Sequence, residues 1–367
     1  MESPYRRELE VALATVKRAA TMSQSILSAL DKGVIAKDDL SLVTVGDFAV
    51  QALLAASIRH AFPGDTLVGE ESADELRQTP ALLDRVWELL LRYGNGNAVV
   101  AEDSESVVTL PQSKDHLCDL IDRCSAGVPG TGEERTWVFD PIDGTTTFVR
   151  GEMYAINVAL LQGGQQALSV VALPVLSADV RCGATVSNSS LDPTGRGAVL
   201  FAARGYGTYV RPLFGAAEPA RRIEAHAEAT EVGLRSVSCV DMLFSGVDDV
   251  HAAVAERLGV AFPGCDLLGW VPRWAVLALG LANMTVWVYK RRDYHAKVWD
   301  HAGAMLLFEE VGGMVTDVDG KAIDLGAGRK LEKNFGFVAA PRRLHGAVLK
   351  AAQDTLREQE KGHLLLG

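Results

Sequence analysis

The stretch Trp137-Val138-Phe139-Asp140-Pro141-Ile142-Asp143-Gly144-Thr145 runs from an apolar strand directly into two carboxylates, a proline and a glycine. A strand that ends in Asp-x-x-Asp-Gly-Thr places two hard oxygen ligands and several free backbone N–H groups at one point. Such a point suits a divalent metal ion together with a phosphate group. The stretch therefore predicts a functional site, to which distant parts of the chain are expected to add ligands.

Composition and charge restrict the partners of the chain. It has 367 residues, of which 48% are hydrophobic and 23% charged, as in ordinary globular proteins. The formal net charge of −11 argues against nucleic acid or an anionic membrane surface as a partner. The five cysteines contain no C-x-x-C pair, which favours reduced thiols. Because the N-terminus lacks a secretory signal and no apolar run approaches about 18 residues, the expected location is cytoplasmic.

Up to about residue 230, the pattern predicts an α+β subdomain. An amphipathic helix is expected from Pro4 to Gly33, a second helix over 48–62 and a strand over 66–72. Residues 73–135, with helical patterns at 81–92 and 116–124, are typical of an insertion or flap. Strand-like runs with glycine turns then predict a large antiparallel sheet, over 154–161, 167–173, 178–185, 199–204 and 207–211.

From 231 to 367, strands alternate with helices, which predicts a smaller α/β subdomain. The expected strands are 236–240, 285–289, 313–317 and 335–340. The expected helices are 251–258, 274–282, 300–311 and 341–360. The fold class is thus a combination of α+β and α/β.

Three further acidic residues stand out, although each has an ordinary explanation. Asp47 and Asp300 occupy positions where a helix N-cap is expected, and Glu70 belongs to an acidic pair after a strand. Of these three acids with Asp140 and Asp143, however, four of the five fall at strand ends or helix starts beside small residues, where ligands collect in layered proteins. We therefore interpret the five carboxylates as one site.

Five carboxylates stay charged in one site only if cations hold them. A set made only of oxygen ligands selects Mg²⁺, with Mn²⁺ as a substitute, and no His/Cys cluster competes for zinc. Such a site supports attack of metal-activated water on phosphorus. Thr145 is placed to hold that water and Asp47 to accept the Thr145 proton, while the N–H groups of Gly144, Thr145 and Thr146 would hold phosphate oxygens.

Three motifs in the same order resemble the lithium-sensitive, magnesium-dependent phosphatase superfamily of inositol monophosphatase. They are Gly69-Glu70-Glu71-Ser72, Asp140-Pro141-Ile142-Asp143-Gly144-Thr145 and Trp299-Asp300-His301-Ala302-Gly303. Within that superfamily the chain is similar to the 3′(2′),5′-bisphosphate nucleotidases, also through Asp324-Leu325-Gly326-Ala327-Gly328-Arg329 and the long insertion before Asp140. The resemblance implies a layered αβαβα fold like that of sugar phosphatases.

The resemblance also implies the ligand sets. A first metal would bind Glu70, Asp140 and the Ile142 carbonyl, a second would bind Asp140, Asp143 and Asp300, and a third, weaker one would lie near Asp47 and Glu70. The implied substrate-binding residues are Gly144, Thr145, Thr146, Phe244, Ser245, Trp270, Arg273, Tyr294, Lys297 and Asp300.

Several substrate positions depart from the family pattern. Thr146-Thr147 stands where the nucleotidases carry Lys-Gly, Trp270 stands in place of a serine, Ala296 in place of a glutamate and Phe244 in place of a histidine. Arg273 replaces a lysine and suits a bidentate phosphate contact. These changes predict a more apolar pocket wall formed by Trp270, Trp274 and Phe244.

The expected activity is hydrolysis of the 3′(2′)-phosphate of adenosine 3′(2′),5′-bisphosphate by a monomer or homodimer. A phosphatase of inositol phosphates or of another small phosphorylated metabolite is the alternative that the same metal site would serve. From a different functional class, a binding protein or a non-hydrolytic phosphate elimination remains open. The complete ligand set argues against a purely binding role.

Overall fold

The computed structural model describes residues 3–28, 34–36, 42–94, 107–216, 218–224, 233–240 and 245–366. Its helices are α1 (Arg6–Ser28), α2 (Val45–Ala61), α3 (Asp74–Gln78), α4 (Pro80–Leu89), α5 (Lys114–Ala126), α6 (Thr145–Val149), α7 (Asp248–Arg257), α8 (Trp270–Ala278), α9 (Ala304–Glu309) and α10 (Arg342–Glu358). Its strands are β1 (Val34–Ala36), β2 (Leu42–Thr44), β3 (Thr66–Gly69), β4 (Arg135–Asp143), β5 (Ala155–Gln162), β6 (Gln165–Leu173), β7 (Ala198–Ala203), β8 (Gly207–Pro212), β9 (Arg221–Arg222), β10 (Val237–Ser238), β11 (Cys265–Asp266), β12 (Thr285–Trp287), β13 (Gly313–Thr316) and β14 (Phe337–Pro341).

Seven strands of the described ranges form the main sheet, in the order β3-β4-β5-β6-β7-β8-β9. β3 and β4 are parallel, and all other neighbours in this sheet are antiparallel. The β5–β6 hairpin turns through Gly163 and Gly164, whose φ angles are 59° and 73°. Positive φ at both positions gives the turn a twist that matches the flanking strands. The predicted large antiparallel sheet is confirmed.

Successive side chains of each strand point to opposite faces of the main sheet. Both faces are buried because helices pack on each of them. Trp137 and Phe139 of β4 belong to the core shared with α1 and α2, whereas Val138 belongs to the core on the other side. Helices α1 and α2 pack on the first face, and α8 and α9 pack on the second. The apolar run that precedes Asp140 therefore forms an internal strand that is buried on both faces.

The smaller sheet is antiparallel, in the order β12-β14-β13. Helix α9 contacts β13 as well as β6 and β7, so it lies between the two sheets. Helix α10 packs on β14, and α7 packs against α10. Helices and sheets thus alternate through five layers, as the αβαβα prediction states.

The strand predicted over 178–185 is wrong. This segment forms turns, and it is tied to the end of α8 instead of to the sheet. The N–H of Gly183 donates to the Gly280 carbonyl oxygen (2.9 Å), and the Cys182 thiol donates to the same oxygen (3.1 Å). The alternation of apolar and polar residues in this segment favours a strand. These contacts with a residue about 100 positions away along the chain outweigh that preference.

Two predicted helices are shifted. The helix expected over 274–282 is α8, which begins four residues earlier at Trp270 and holds Pro272 in its first turn, where proline is tolerated. It ends before Gly280, whose φ of 72° suits a helix end. The helix expected over 300–311 is divided into a 3₁₀ turn, Val298–Asp300, and α9.

Neither acidic residue expected as an N-cap occupies that position. Asp47 lies inside the first turn of α2, and Asp300 is the last residue of the 3₁₀ turn.

The boundary near 230 falls in residues 225–232, outside the described part, so the division into 1–230 and 231–367 stays a prediction. Residues 95–106 of the expected flap and Gly33 also lie outside it. Among the described helices, none is long and apolar enough to cross a membrane.

Candidate active site

Glu70 and Asp140 lie side by side, because each comes directly after a paired residue of two neighbouring parallel strands. The register pairs Gly69 of β3 with Phe139 of β4, so the next residue on each strand is an acid. Because parallel strands end at the same edge of a sheet, the two carboxylates face the same space. Asp140 is 2% exposed and Glu70 is half-buried.

Asp143 is the last residue of β4, and its carboxylate is held at the start of α8. The β4–β5 register shifts between Asp140 and Asp143. The N–H of Val271 donates to Asp143 Oδ2 (2.7 Å), which places a carboxylate at the positive end of a helix. A Cβ on Gly269 would lie 2.5 Å from that oxygen, so glycine is required there.

Asp300 is positioned by a contact between the small α/β part of the chain and β5. Asn157 Nδ2 donates to the carbonyl oxygen of Trp299 (2.6 Å). Asn157 pairs with Asp140 in the β4–β5 ladder, so one side chain joins the segments of two acids. A Cβ on Gly303 would lie 2.3 Å from Asn157 Oδ1, which explains the glycine after the Asp300 turn.

The carboxyl oxygens of Asp140, Asp143 and Asp300 lie within 4.8 Å of one another. Burial raises the pKa of Asp140 well above its usual value, and the charges of Glu70, Asp143, Asp300 and Asp47 raise that pKa further. Glu70 and Asp47 therefore lie near enough to Asp140 for their charges to act on it. The structure brings all five predicted acids to one place.

The other two acids of the cluster also hold protons more tightly than usual. Burial raises the pKa of Asp143 to about 7, although the Val271 N–H and the charge of Arg273 lower it. Burial and the charges of Asp143 and Glu70 raise the pKa of Asp300, while Lys297 lowers it. Without cations, such a cluster binds protons instead of carrying its full negative charge.

The donor set fits a divalent metal ion. Its atoms are hard carboxylate oxygens, the ligands that Mg²⁺ and Mn²⁺ prefer. Asp140 Oδ1 is buried and accepts no hydrogen bond from any described residue. A cation beside this oxygen would offset both its desolvation and the repulsion between neighbouring acids.

Helix α2 carries Asp47, which is fully buried, and one turn later it anchors the segment of Glu70. Gln51 Nε2 donates to the Glu71 carbonyl oxygen, and the Glu71 N–H donates to Gln51 Oε1, both at 2.9 Å. A side-chain amide that bonds both backbone groups of one residue fixes that residue closely. Helix α2 therefore sets the position of two of the five acids.

The turn after Asp143 begins α6, as expected for the N–H groups of Gly144, Thr145 and Thr146. Gly144 has a φ of 87°, which strongly favours glycine. The Thr145 hydroxyl donates to the Ile142 carbonyl oxygen (3.2 Å), so two residues assigned to the site are in contact. Thr147 is buried, and its hydroxyl donates to the Gly144 carbonyl oxygen (2.7 Å), which makes it part of the turn.

Arg273 lies beneath the carboxylates, and its side chain is fully buried. Its Nε donates to the Leu267 carbonyl oxygen (2.8 Å) and its Nη2 to that of Leu268 (3.0 Å). The guanidinium carbon lies 4.4 and 4.5 Å from the ring centres of Trp270 and Trp287. This enclosure does not support the expected bidentate phosphate contact, and the cation instead acts electrostatically on Asp143.

The apolar pocket wall expected from Trp270 and Trp274 is likewise not supported. Their exposed fractions are 6% and 0%, and their rings stack at 6.0 Å between the two sheets. Trp274 Nε1 donates to His301 Nδ1 (3.1 Å). Ala296 is also buried. These departures from the family pattern fill the core under the site.

Of the remaining substrate-binding predictions, Tyr294 and Lys297 reach the surface and form the rim of the site. Tyr294 is 43% exposed, and its ring lies 4.4 Å from that of Tyr289. Lys297 is half-buried beside Asp300 and lies over the Trp299 ring (5.4 Å). Ser245 is 8% exposed. Phe244 lies outside the described residues.

Arg329 is a site-building residue that the sequence interpretation did not assign. Its Nη1 donates to the carbonyl oxygens of Cys124 (2.9 Å) and Gly127 (3.2 Å), and its Nη2 donates to that of Gly69 (2.6 Å). Its guanidinium carbon lies 4.8 Å from the centre of the Trp299 ring. Arg329 thus touches the residue before Glu70 and the residue before Asp300.

Gln51 and Asn157 were missed as well. Each is a single polar residue within an apolar run, Ala49–Ala56 for Gln51 and Ala155–Leu161 for Asn157. An isolated buried amide indicates a required hydrogen-bond partner. The sequence therefore indicated that both amides need a hydrogen-bond partner, but it did not identify that partner.

Comparison with known proteins matches residues 6–357 to the inositol monophosphatase family. A 3′(2′),5′-bisphosphate nucleotidase of Emericella nidulans is 35% identical over 96% of this chain and 99% of that protein. A 3′(2′),5′-bisphosphate nucleotidase of Schizosaccharomyces pombe is 31% identical over 95% of each chain. The solved structure of an IMPase from Thermotoga maritima has a TM-score of 0.56 and 18% identity, and covers 96% of this chain and 99% of that one. That similarity concerns the fold.

Proposed function

We propose, since this chain belongs to the inositol monophosphatase family, that it is a metal-dependent phosphomonoesterase acting on adenosine 3′(2′),5′-bisphosphate. The observation that carries the proposal is the buried group of acids around Asp140. The names of the nucleotidase relatives, which align over nearly their whole length, supply the substrate class.

The proposed cofactor is Mg²⁺, as two or three ions, with Mn²⁺ as a substitute. Glu70, Asp140, Asp143, Asp300 and the Ile142 carbonyl would hold the ions, with Asp47 near the third. When bound, such ions lower the pKa of water and stabilise the charge of a leaving oxygen.

The chain itself supplies positioning and proton transfer. The hydroxyl of Thr145, fixed beside the Ile142 carbonyl, would orient the attacking water. Asp47 would accept the proton that Thr145 passes on. The N–H groups at the start of α6 would hold phosphate oxygens. Because the β4–β5 register shifts after Asp140, the N–H groups at the start of α6 lie at the end of β4.

Substrate recognition is assigned to the rim above the acids. Tyr294 presents an exposed ring backed by the buried Tyr289, a surface on which a nucleobase stacks. Lys297 supplies a half-exposed cation for the second phosphate. Ser245 and Phe244 are proposed as further substrate contacts, whereas Trp270 is proposed to act only through its backbone N–H, which donates to the Asp143 carboxylate.

Further properties are proposed from the family resemblance. They are inhibition by lithium, a cytoplasmic location, and a monomer or homodimer that acts on a small metabolite and not on nucleic acid or a membrane. Lithium inhibition of phosphate release, titrated at fixed Mg²⁺, tests the first of these.

The decisive experiment is a substrate panel. Mg²⁺-dependent phosphate release is measured from adenosine 3′,5′-bisphosphate, adenosine 2′,5′-bisphosphate, inositol 1-phosphate and inositol 1,4-bisphosphate. We expect kcat/KM for the adenosine compounds to exceed that for the inositol compounds by roughly 100-fold or more, about 2.7 kcal/mol in transition-state binding. Equal or reversed preference would reject the nucleotidase assignment and favour a phosphatase of inositol phosphates or another metabolite.

Two variants accompany the panel. Asp140→Asn is expected to abolish turnover of all four compounds, and substantial activity in the folded variant would reject the metal assignment. Tyr294→Ala is expected to raise KM for the adenosine compounds and to leave the inositol compounds unchanged. A uniform effect on both classes would remove Tyr294 from base recognition.

A further inference from the structure

A small basic cleft lies between α1 and the β7–β8 hairpin. Its lining includes Lys17 and Arg211 together with the apolar side chains of Leu13, Val199 and Leu213. In the main sheet, β8 is four strands away from β4, which is roughly 19 Å at the usual strand spacing. The cleft is therefore separate from the carboxylate cluster.

The positions of the two cations follow from regular secondary structure. Arg211 pairs with Val199, and Val199 and Phe201 belong to the core on the α1 side of the sheet. Paired strand residues share a face, so Arg211 points toward α1. On α1, Lys17 follows Leu13 by one helical turn, which places both on the flank that faces Arg211.

Within the described part of the chain, neither of the two cations has a counter-ion. Neither Lys17 nor Arg211 has a hydrogen bond or ion pair from its side chain to any described residue. Glu218 also lines the cleft, but its carboxylate pairs with Arg196. Burial and the charges of Arg211 and Arg18 lower the pKa of Lys17, as expected for like charges that share a partly desolvated space.

We propose that this cleft binds a small tetrahedral oxyanion, phosphate or sulfate, independently of the proposed reaction. The guanidinium of Arg211 offers a planar fork to two oxygens, and Lys17 adds a point charge from the opposite wall. The cleft volume is about 40 Å³, several times the roughly 10–15 Å³ that one water molecule needs. Apolar neighbours reduce competition from water, so an anion placed here offsets the repulsion between the cations.

The test measures thermal unfolding of the full chain in EDTA, which removes the divalent ions through which an oxyanion would bind at the acids of the active site. Phosphate, sulfate and chloride are titrated separately at matched ionic strength. We expect a saturable rise in Tm with phosphate or sulfate beyond that with chloride. The two oxyanion arms show which is bound more tightly.

Variants separate a bound ion from general salt effects, which sulfate and phosphate exert without saturation. Arg211→Gln and, separately, Lys17→Gln are expected to raise the apparent Kd for the oxyanion at least fivefold. Arg181→Gln removes the same charge at an exposed position outside the cleft and is expected to keep the wild-type Kd. A titration without saturation in the wild type, or equal Kd values in wild type and both cleft variants, overturns the proposal.

Discussion

Replacement of Arg329 by methionine should weaken both the fold and metal binding. The guanidinium donates hydrogen bonds to three backbone carbonyls, those of Cys124, Gly127 and Gly69. Hydrogen bonds from a charged donor contribute about 1.5–3 kcal/mol each, and the ring contact with Trp299 adds roughly 0.5–1 kcal/mol. Because the side chain is half-buried and some carbonyls regain water, we expect a net loss of about 3–4 kcal/mol in the free energy of unfolding.

The effect on metal binding follows from where the bonds are made. Gly69 precedes Glu70, and Trp299 precedes Asp300, so Arg329 joins two segments that supply acids from opposite ends of the chain. Without this link, the two segments must be ordered by the bound ions instead. The Mg²⁺ concentration for half-maximal activity should rise by roughly tenfold, about 1.4 kcal/mol.

The assay combines urea unfolding with Mg²⁺ activation of phosphate release. Arg123→Met is the matched control, since it removes the same charge from an exposed position on α5. Arg329→Lys, which keeps the charge but not the fork, should lie between wild type and Arg329→Met. A folded Arg329→Met protein with wild-type Mg²⁺ activation would refute the proposed link between the two segments, even if its stability fell.

Three further predictions address the acids and their supports. In metal-free protein, folded Asp143 keeps its proton up to about pH 7, whereas the unfolded chain loses this proton near about pH 4. The contribution of the protonated Asp143 to the free energy of unfolding is therefore full below about pH 4 and lost by about pH 7. The Tm gain from Mg²⁺ should accordingly grow as the pH rises, and a pH-independent gain would contradict this assignment. Gly303→Ala should cost about 2 kcal/mol or more in urea unfolding because its Cβ would meet Asn157, while Gly346→Ala in α10, where nothing lies within 4 Å, should be neutral or stabilising. Thr145→Ala should lower kcat more than it raises KM, and an unchanged kcat would remove Thr145 from the mechanism.

Three acids of the site were predictable because each lies at a position that local sequence marks. Asp140 follows the apolar run of β4, Glu70 directly follows β3, and Asp143 opens the Asp-Gly-Thr turn. Parallel pairing of β3 and β4 then places two acids side by side without further information. Short-range pattern and strand geometry were sufficient at these positions.

The supports of the site were not predictable in the same way. Asn157 bonds Trp299, 142 positions away, and Arg329 bonds Gly69, 260 positions away. No local periodicity reports such a partner. The start of α8 was misplaced for a related reason, since its first turn is fixed by Asp143, 128 positions earlier than Val271.

The burial of Arg273 changes how the departures at this end of the site are understood. Viewed along the sequence, an arginine and two tryptophans at substrate positions suggest an altered pocket. In three dimensions, Trp270 and Trp287 enclose the Arg273 cation directly beneath Asp143, whose carboxylate also receives the first N–H groups of α8. Both influences favour the charged form of an acid that burial would otherwise protonate. The replacements therefore support a carboxylate of the proposed metal site from below, and selectivity between substrates is expected to depend on the exposed rim at Tyr294 and Lys297.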